Sequence, residues 1–121
     1  MDETFRWGIR WVRADAAFVF ALTLTAIAVT HGSWAQFALL LLVPDVSMLG
    51  YLVNSRVGAA TYNIGHLHAL PMALLVWAVT TAHSAWTLPA LTWIAHIAMD
   101  QALGYGLKLP TAFKDTVLGR L

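Results

Sequence analysis

Polar side chains that could ligate a metal or move protons interrupt the long apolar stretches of this chain at five positions: Asp45, Asn63, His66, His96 and Asp100. Imidazole nitrogens and carboxylate oxygens are common ligands of Zn, Mn and Fe ions in proteins. Such groups are expensive to place inside a bilayer, so a functional site is the leading hypothesis for them. The chain contains no cysteine, which excludes disulfides and thiolate ligands.

The composition predicts an integral membrane protein. The chain is 60% hydrophobic and only 11% charged, with a mean hydropathy of +0.69. No Asp, Glu, Lys or Arg occurs in residues 16–44 or 57–99. A water-soluble helical bundle would need charged outer faces on these helices, and these stretches cannot supply them.

Four apolar stretches approach the roughly 20 residues that a helix needs to cross a hydrocarbon core. The predicted spans are residues 14–30, 34–53, 58–82 and 86–107. Because the connections are short, each helix should run antiparallel to its predecessor. We therefore predict one all-α domain over residues 1–121, an integral membrane four-helix antiparallel bundle. Residues 3–13 suit a short interfacial helix or a frayed basic end, and residues 108–121 form a tail.

The basic residues predict the orientation in the membrane. All seven fall before the first span, in the second loop or after the last span: Arg6, Arg10, Arg13, Arg56, Lys108, Lys114 and Arg120. Positive charge favours the cytoplasmic side, so both termini should be cytoplasmic in a multi-pass protein of the bacterial inner membrane. The expected partners are membrane lipids. A homo-oligomer or a membrane complex is a further expectation, which rests on how commonly such proteins associate. No basic groove for nucleic acid is present.

Counting residues predicts that the polar side chains lie at similar depths. Asp45 lies ten residues before Ser55, the centre of the second loop, His66 lies eleven residues after it, and His96 lies ten residues before Gly106, so each should be about 15 Å deep at 1.5 Å per residue. Asn63 and Asp100 should lie about one turn closer to the cytoplasm. Asn63 and His66 are spaced i, i+3, and His96 and Asp100 are spaced i, i+4, so each pair shares a helix face.

This arrangement supports three hypotheses about function. The first is a divalent metal site (Zn, Mn or Fe) that hydrolyses or modifies a lipid-like substrate. Its predicted ligands are Asp45, His66, His96 and Asp100, with His96 and Asp100 as the catalytic pair. The second is a non-catalytic membrane subunit or scaffold whose polar cluster only joins the helices. The third is proton or ion transport.

Residues near the end of the last span are assigned a supporting role. Gly104 and Gly106, followed by Lys108, are typical of a helix end. The functional alternative is a cytoplasmic vestibule for an anionic headgroup, formed by Tyr105, Lys108, Lys114, Tyr51 and Arg56. Asn63, Tyr105 and Lys108 are the predicted supporting residues of the site.

The remaining histidines are not expected to belong to the site. His68 follows His66 by two residues, which turns its side chain by about 200° around the helix. His31 and His83 fall in the predicted outer loops, where solvated histidines are ordinary.

An ordered set of motifs resembles a known family. They are Pro44-Asp45-Val46-Ser47-Met48-Leu49-Gly50-Tyr51, then Tyr62-Asn63 with His66 and Pro71, then His96 with Asp100, Gly104-Tyr105-Gly106-Leu107-Lys108, and Phe113-Lys114-Asp115-Thr116. Over nearly all of its length the chain is similar to the bacterial domain-of-unknown-function family 4260. The resemblance implies a small polytopic membrane protein and brings no established activity with it.

Overall fold

The computed structural model describes residues 2–120 and is almost entirely helical, which confirms the all-α prediction. The helical elements are α1 (Glu3–Val29), α2 (Trp34–Leu40), a long 3₁₀ helix (Val43–Leu52), α3 (Ser55–Gly65), α4 (Ala69–Thr80), a short 3₁₀ turn (Ser84–Trp86) and α5 (Thr87–Leu103). Two short strands, β1 (Asp115–Thr116) and β2 (Gly119–Arg120), pair antiparallel in the tail.

Among residues 2–120, three helical stretches, rather than the four predicted, are long and apolar enough to cross a membrane. They are Glu3–Val29, Trp34–Leu52 and Ser55–Thr80. Large apolar side chains cover their outer faces; Leu39 is 79% exposed and Leu52 is 85% exposed. Length and composition therefore agree with the predicted membrane class.

Helix α5 lies at the centre of the protein. It contacts α1, α2 and α4, and eight of its 17 residues are buried, among them His96. It ends at Leu103, because Gly104 adopts a left-handed conformation (φ 101°) that lets the Tyr105 amide donate to the Asp100 carbonyl at 2.8 Å. The glycine therefore stops the helix as predicted, although earlier than residue 107.

Helix α1 is longer than the first predicted span. Asp2 caps it, its side chain accepting a hydrogen bond from the Phe5 amide at 2.7 Å. The helix then continues unbroken to Val29, since no proline interrupts the sequence. Residues 3–13 are thus continuous with the first span, and the separate element expected there is absent.

The second predicted span changes from α-helix to 3₁₀-helix. Proline at position 44 has no amide hydrogen to donate, and α2 ends before it at Leu40. The 3₁₀ helix that follows packs against α3. Thr61 Oγ1 donates to the Ser47 carbonyl at 2.7 Å, and a Cβ on Gly65 would lie 2.7 Å from Ser47 Oγ. Small residues at this contact bring the two backbones close together.

Three residues per turn divide this 3₁₀ helix into three faces. Residues 46, 49 and 52 form an outer apolar face, on which Val46 is 61% exposed and Leu49 is 62% exposed. Residues 44, 47 and 50 form the face that contacts α3. The third face contains Asp45, Met48 and Tyr51, so this element aims Asp45 toward the interior of the protein.

The third predicted span is two helices rather than one. Helix α3 ends at Gly65 and α4 begins at Ala69, with His66 in the turn between them. Pro71 explains the break, because its ring clashes with the preceding turn of a continuous helix. The break frees the Gly65 carbonyl, which accepts a hydrogen bond from Trp93 Nε1 at 2.7 Å. This bond ties the turn to α5.

The chain after α5 folds back onto the protein. Lys108 pairs with Thr116 in an isolated bridge, and the Leu109 amide donates to the Asp115 carbonyl at 2.8 Å. Lys108 is only 4% exposed. The tail is therefore part of the folded body.

Candidate metal centre

Four side chains from three segments converge on one point. Asp45 comes from the 3₁₀ helix, His66 from the end of α3, and His96 and Asp100 from successive turns of α5. One donor atom from each lies within 4.8 Å of the other three. The structure thus brings together the four residues that the sequence predicted as metal ligands.

The contacts between these donor atoms are short and nearly equal. His66 Nε2 and His96 Nε2 are 3.1 Å apart. Asp45 Oδ1 lies 3.4 Å from His66 Nε2 and 3.1 Å from His96 Nε2. Asp100 Oδ2 lies 3.3 Å and 3.2 Å from the same two nitrogens. Ligands held about 2.0–2.1 Å from a tetrahedral zinc ion are about 3.3–3.4 Å apart, so the spacing fits such an ion.

The hydrogen-bond partner of His66 favours a ligand role for this side chain. Its Nδ1 lies 2.8 Å from the Tyr62 carbonyl. A carbonyl can only accept, so Nδ1 carries the hydrogen, and in the neutral ring Nε2 presents a lone pair to the cluster. A backbone carbonyl in this position commonly orients metal-binding histidines. The Nδ1 of His96 is buried and faces the Leu41 backbone without a hydrogen bond of ordinary geometry.

The cluster is closed on the histidine side and open on the carboxylate side. His66 is 3% exposed and His96 is fully buried. The side chains of Asp45 and Asp100 are 31% and 16% exposed. The two carboxylates are therefore the exposed members of the cluster.

Tyr62 belongs to the site, although the sequence analysis did not assign it there. Its ring stacks on the His66 ring at 3.7 Å with 10° between the planes. Its hydroxyl donates to Asp100 Oδ2 at 3.3 Å. Tyr62 precedes His66 by four residues, which places both on one face of α3. This spacing was visible in the sequence and could have identified Tyr62 as a member of the site.

Asn63, a predicted supporting residue, does not contact the four-residue cluster; it binds the backbone of Lys108, which lines the neighbouring cavity. Its Nδ2 donates to the Lys108 carbonyl at 2.9 Å, and its Oδ1 accepts from the Lys108 amide at 2.6 Å. Because Asn63 follows Tyr62 by one residue, its side chain is turned by about 100° around the helix. Asn63 fixes the tail to α3.

A cavity of about 200 Å³ opens beside the carboxylates. It is lined by Asp45, Met48, Tyr62, Asp100, Tyr105, Lys108 and Phe113. The Lys108 ammonium lies 5.0 Å from the centre of the Tyr62 ring and 4.0 Å from that of Phe113. Of the predicted vestibule residues, Tyr105 and Lys108 therefore line this cavity, and Tyr51 packs against Phe113 at 5.3 Å.

A separate apolar cleft of about 460 Å³ is lined by neighbours in the chain of two cluster residues. Pro44, Ser47 and Gly65 line it directly beside two of the cluster residues, and Trp86 and Trp93 line it farther along. Its wall is almost entirely apolar. The cleft therefore adjoins Asp45 and His66 in the chain, but none of the four cluster side chains lines it.

The other histidines lie outside the cluster. His68 is half-buried in the turn before α4. His31 and His83 are exposed, and His83 Nδ1 lies 2.7 Å from Thr81 Oγ1.

Comparison with protein families agrees with the resemblance seen in the motifs. The family model described as Domain of unknown function (DUF4260) matches residues 9–121. The chain belongs to this family. No match was found among curated proteins or solved structures.

The cluster in this DUF4260 chain brings four potential lone-pair donors to one point. A proton can lie along only one of the contacts at a time, whereas a divalent cation can contact all four donors. The donor set of two imidazoles and two carboxylates suits Zn, Mn or Fe. The residues therefore fit a metal ion, and they lie close enough to bind one.

Proposed function

We propose that this protein is a multi-pass membrane protein that binds a divalent metal ion through Asp45, His66, His96 and Asp100. We further propose that it hydrolyses a lipid-like substrate at this centre. One observation carries the proposal: the donor atoms of two histidines from two segments lie 3.1 Å apart, and each lies 3.1–3.4 Å from a donor atom of both aspartates. A bound divalent ion supplies Lewis acidity and lowers the pKa of water to near neutrality.

The four cluster residues have different roles in this proposal. Catalytic zinc sites keep three protein ligands and leave the fourth position open. His66, His96 and Asp45 are assigned as the permanent ligands. Asp100 would complete the set of residues that hold the ion and would accept the proton that the attacking water loses. The Tyr62 hydroxyl, 3.3 Å from Asp100 Oδ2, holds this carboxylate in position.

The proposed topology is the antiparallel four-span bundle with both termini in the cytoplasm. Arg13 Nε donates to the Ala102 carbonyl at 2.9 Å near the end of α5. A Cβ on Gly32 would meet Leu88 near the start of α5. These contacts support opposite directions for α1 and α5. The cavity beside Asp100 then opens toward the side that carries the basic residues, which is the cytoplasmic side by the positive-inside rule.

The apolar cleft supports a substrate with a hydrocarbon part. It reaches from Pro44 and Gly65, next to cluster residues, to Trp86 at the start of α5. Apolar clefts with a few convergent polar groups are the usual form of binding sites for small amphiphilic molecules. A lipid-like molecule could place its chain here and its polar part at the cluster.

Metal analysis of the detergent-solubilised protein tests the first half of the proposal. We expect about one Zn²⁺, Mn²⁺ or Fe²⁺ per chain, either after purification or after reloading, and loss of binding in His96→Gln. A wild-type protein that neither retains nor rebinds a metal would contradict the proposal. A His96→Gln protein that loses its fold without any metal dependence would favour a purely structural role.

Substrate turnover tests the second half. Wild-type protein, loaded with metal or stripped by a chelator, is incubated with short-chain acyl esters and phospholipids in mixed micelles, and products are followed by mass spectrometry. We expect products only from the loaded protein. Metal binding without any turnover would retain the site and reject the enzyme. Ion flux through liposomes that is lost in Asp45→Asn would instead support transport.

A further inference from the structure

The cavity beside the cluster contains a buried lysine that the proposed hydrolysis does not use. We propose that Lys108 and the metal centre together bind a phosphate group of the substrate in this cavity. This inference rests on the proposed metal site and names the chemical class of its ligand.

Among the carboxylates that the structure describes, none lies within ion-pair distance of the Lys108 ammonium. The side chain is 4% exposed. The contacts of ion-pair length at the site join His66 or His96 to Asp45 or Asp100. A buried charge without a partner costs free energy, so its retention requires a reason. An anion bound in the cavity would supply one.

The protein holds the Lys108 ammonium in one place. Asn63 binds both the amide and the carbonyl of Lys108, which fixes its backbone. The rings of Tyr62 and Phe113 lie 5.0 Å and 4.0 Å from the ammonium nitrogen, a cation–π arrangement. Both rings also line the cavity. The ammonium is therefore preorganised at the wall of the cavity.

The same cavity reaches the exposed carboxylates of the cluster. Asp45 and Asp100 line it together with Lys108. With a divalent ion bound and both histidines neutral, the two carboxylates cancel the charge of the ion, and Lys108 leaves one positive charge. Lysine and metal ions are common ligands of phosphoryl groups, so this arrangement favours an oxyanion such as phosphate.

Phosphorus NMR of the Mn²⁺-loaded protein tests this inference. Bound Mn²⁺ broadens the signal of nearby phosphorus, and electron paramagnetic resonance on the same samples gives the Mn²⁺ affinity. The probes are inorganic phosphate and a short-chain phosphatidic acid. We expect broadening with the wild type, phosphate affinity at least tenfold weaker in Lys108→Gln, and retained binding in Lys108→Arg. Lys114→Gln, which removes an exposed lysine outside the cavity, is the matched control.

Each outcome separates this inference from the proposed function. Unchanged phosphate affinity in Lys108→Gln overturns the inference, as does a wild-type protein that binds Mn²⁺ but does not broaden the phosphate signal; in both cases the metal site stands. Absence of Mn²⁺ binding overturns both. Tighter binding of phosphatidic acid than of phosphate identifies a lipid headgroup as the source of the anion, whereas equal affinity identifies free phosphate.

Discussion

Replacing His96 by glutamine should weaken metal binding without removing the polar character of this position. His96 Nε2 contacts all three other donors of the cluster at 3.1–3.2 Å. Glutamine has a side chain of comparable length that can still form hydrogen bonds, but its amide is a poor zinc ligand. The matched control is His68→Gln, because His68 is half-buried and lies outside the cluster.

The expected magnitude follows from the near equality of the contacts. Structural zinc sites contribute about 10–16 kcal/mol of binding free energy, so one of four equivalent ligands accounts for about 2.5–4 kcal/mol. That loss corresponds to an affinity about 10²–10³-fold weaker. The control variant His68→Gln should bind zinc within about twofold of the wild-type affinity. This is well below a tenfold change, which corresponds to about 1.4 kcal/mol of binding free energy.

Two measurements check this prediction. Competition with a chromophoric chelator gives the zinc affinity directly. Thermal unfolding in detergent gives the stabilisation by zinc, which is about 4.1 kcal/mol at a concentration of about 1,000 times the dissociation constant. For a variant with about 100-fold weaker binding it falls to about 1.4 kcal/mol. Equal zinc affinity in wild type, His96→Gln and His68→Gln would refute the assignment of this cluster as the metal site.

Three further predictions concern the elements around the site. Gly65→Ala should place a Cβ 2.7 Å from Ser47 Oγ and displace Asp45, so we expect at least tenfold weaker zinc binding. The control Gly8→Ala, which has open space around it, should leave zinc binding unchanged. Asn63→Leu removes two hydrogen bonds to the Lys108 backbone, so the free energy of unfolding should fall by about 1–3 kcal/mol; unchanged thermal unfolding would contradict this. Burial lowers the pKa of Lys108, so phosphate affinity should decline with rising pH earlier than for a free lysine, and Lys108→Gln should lack this component in the same NMR titration.

The convergence of the cluster could be predicted because depth in a membrane is countable. Asp45, His66 and His96 fall at equal distances from the ends of apolar stretches, and an uninterrupted rise per residue places them at one level. Asp100 lies on the same face as His96, so it reaches the same point. These inferences need only the spacing of the residues and the length of the spans.

Other parts of the fold depended on local backbone changes that a count of apolar residues does not reveal. Asn63 was assigned to the site by its depth, but the rotation of α3 directs it to Lys108 instead. Pro71 ends α3 in a turn, and the segment after Pro44 is a 3₁₀ helix. In residues 44–52, small residues at 44, 47 and 50 and large apolar residues at 46, 49 and 52 recur every three positions; this pattern was visible in the sequence and would have indicated the element.

The tail after α5 has a practical consequence for handling this protein. Lys108 and Phe113 of this tail line the cavity, and Lys108 is joined to α3 through Asn63. An affinity tag or reporter fused to the tail would therefore disturb the binding site. Asp2, by contrast, is exposed and caps only the start of α1. Expression and labelling strategies should therefore place added polypeptide at the amino-terminal end.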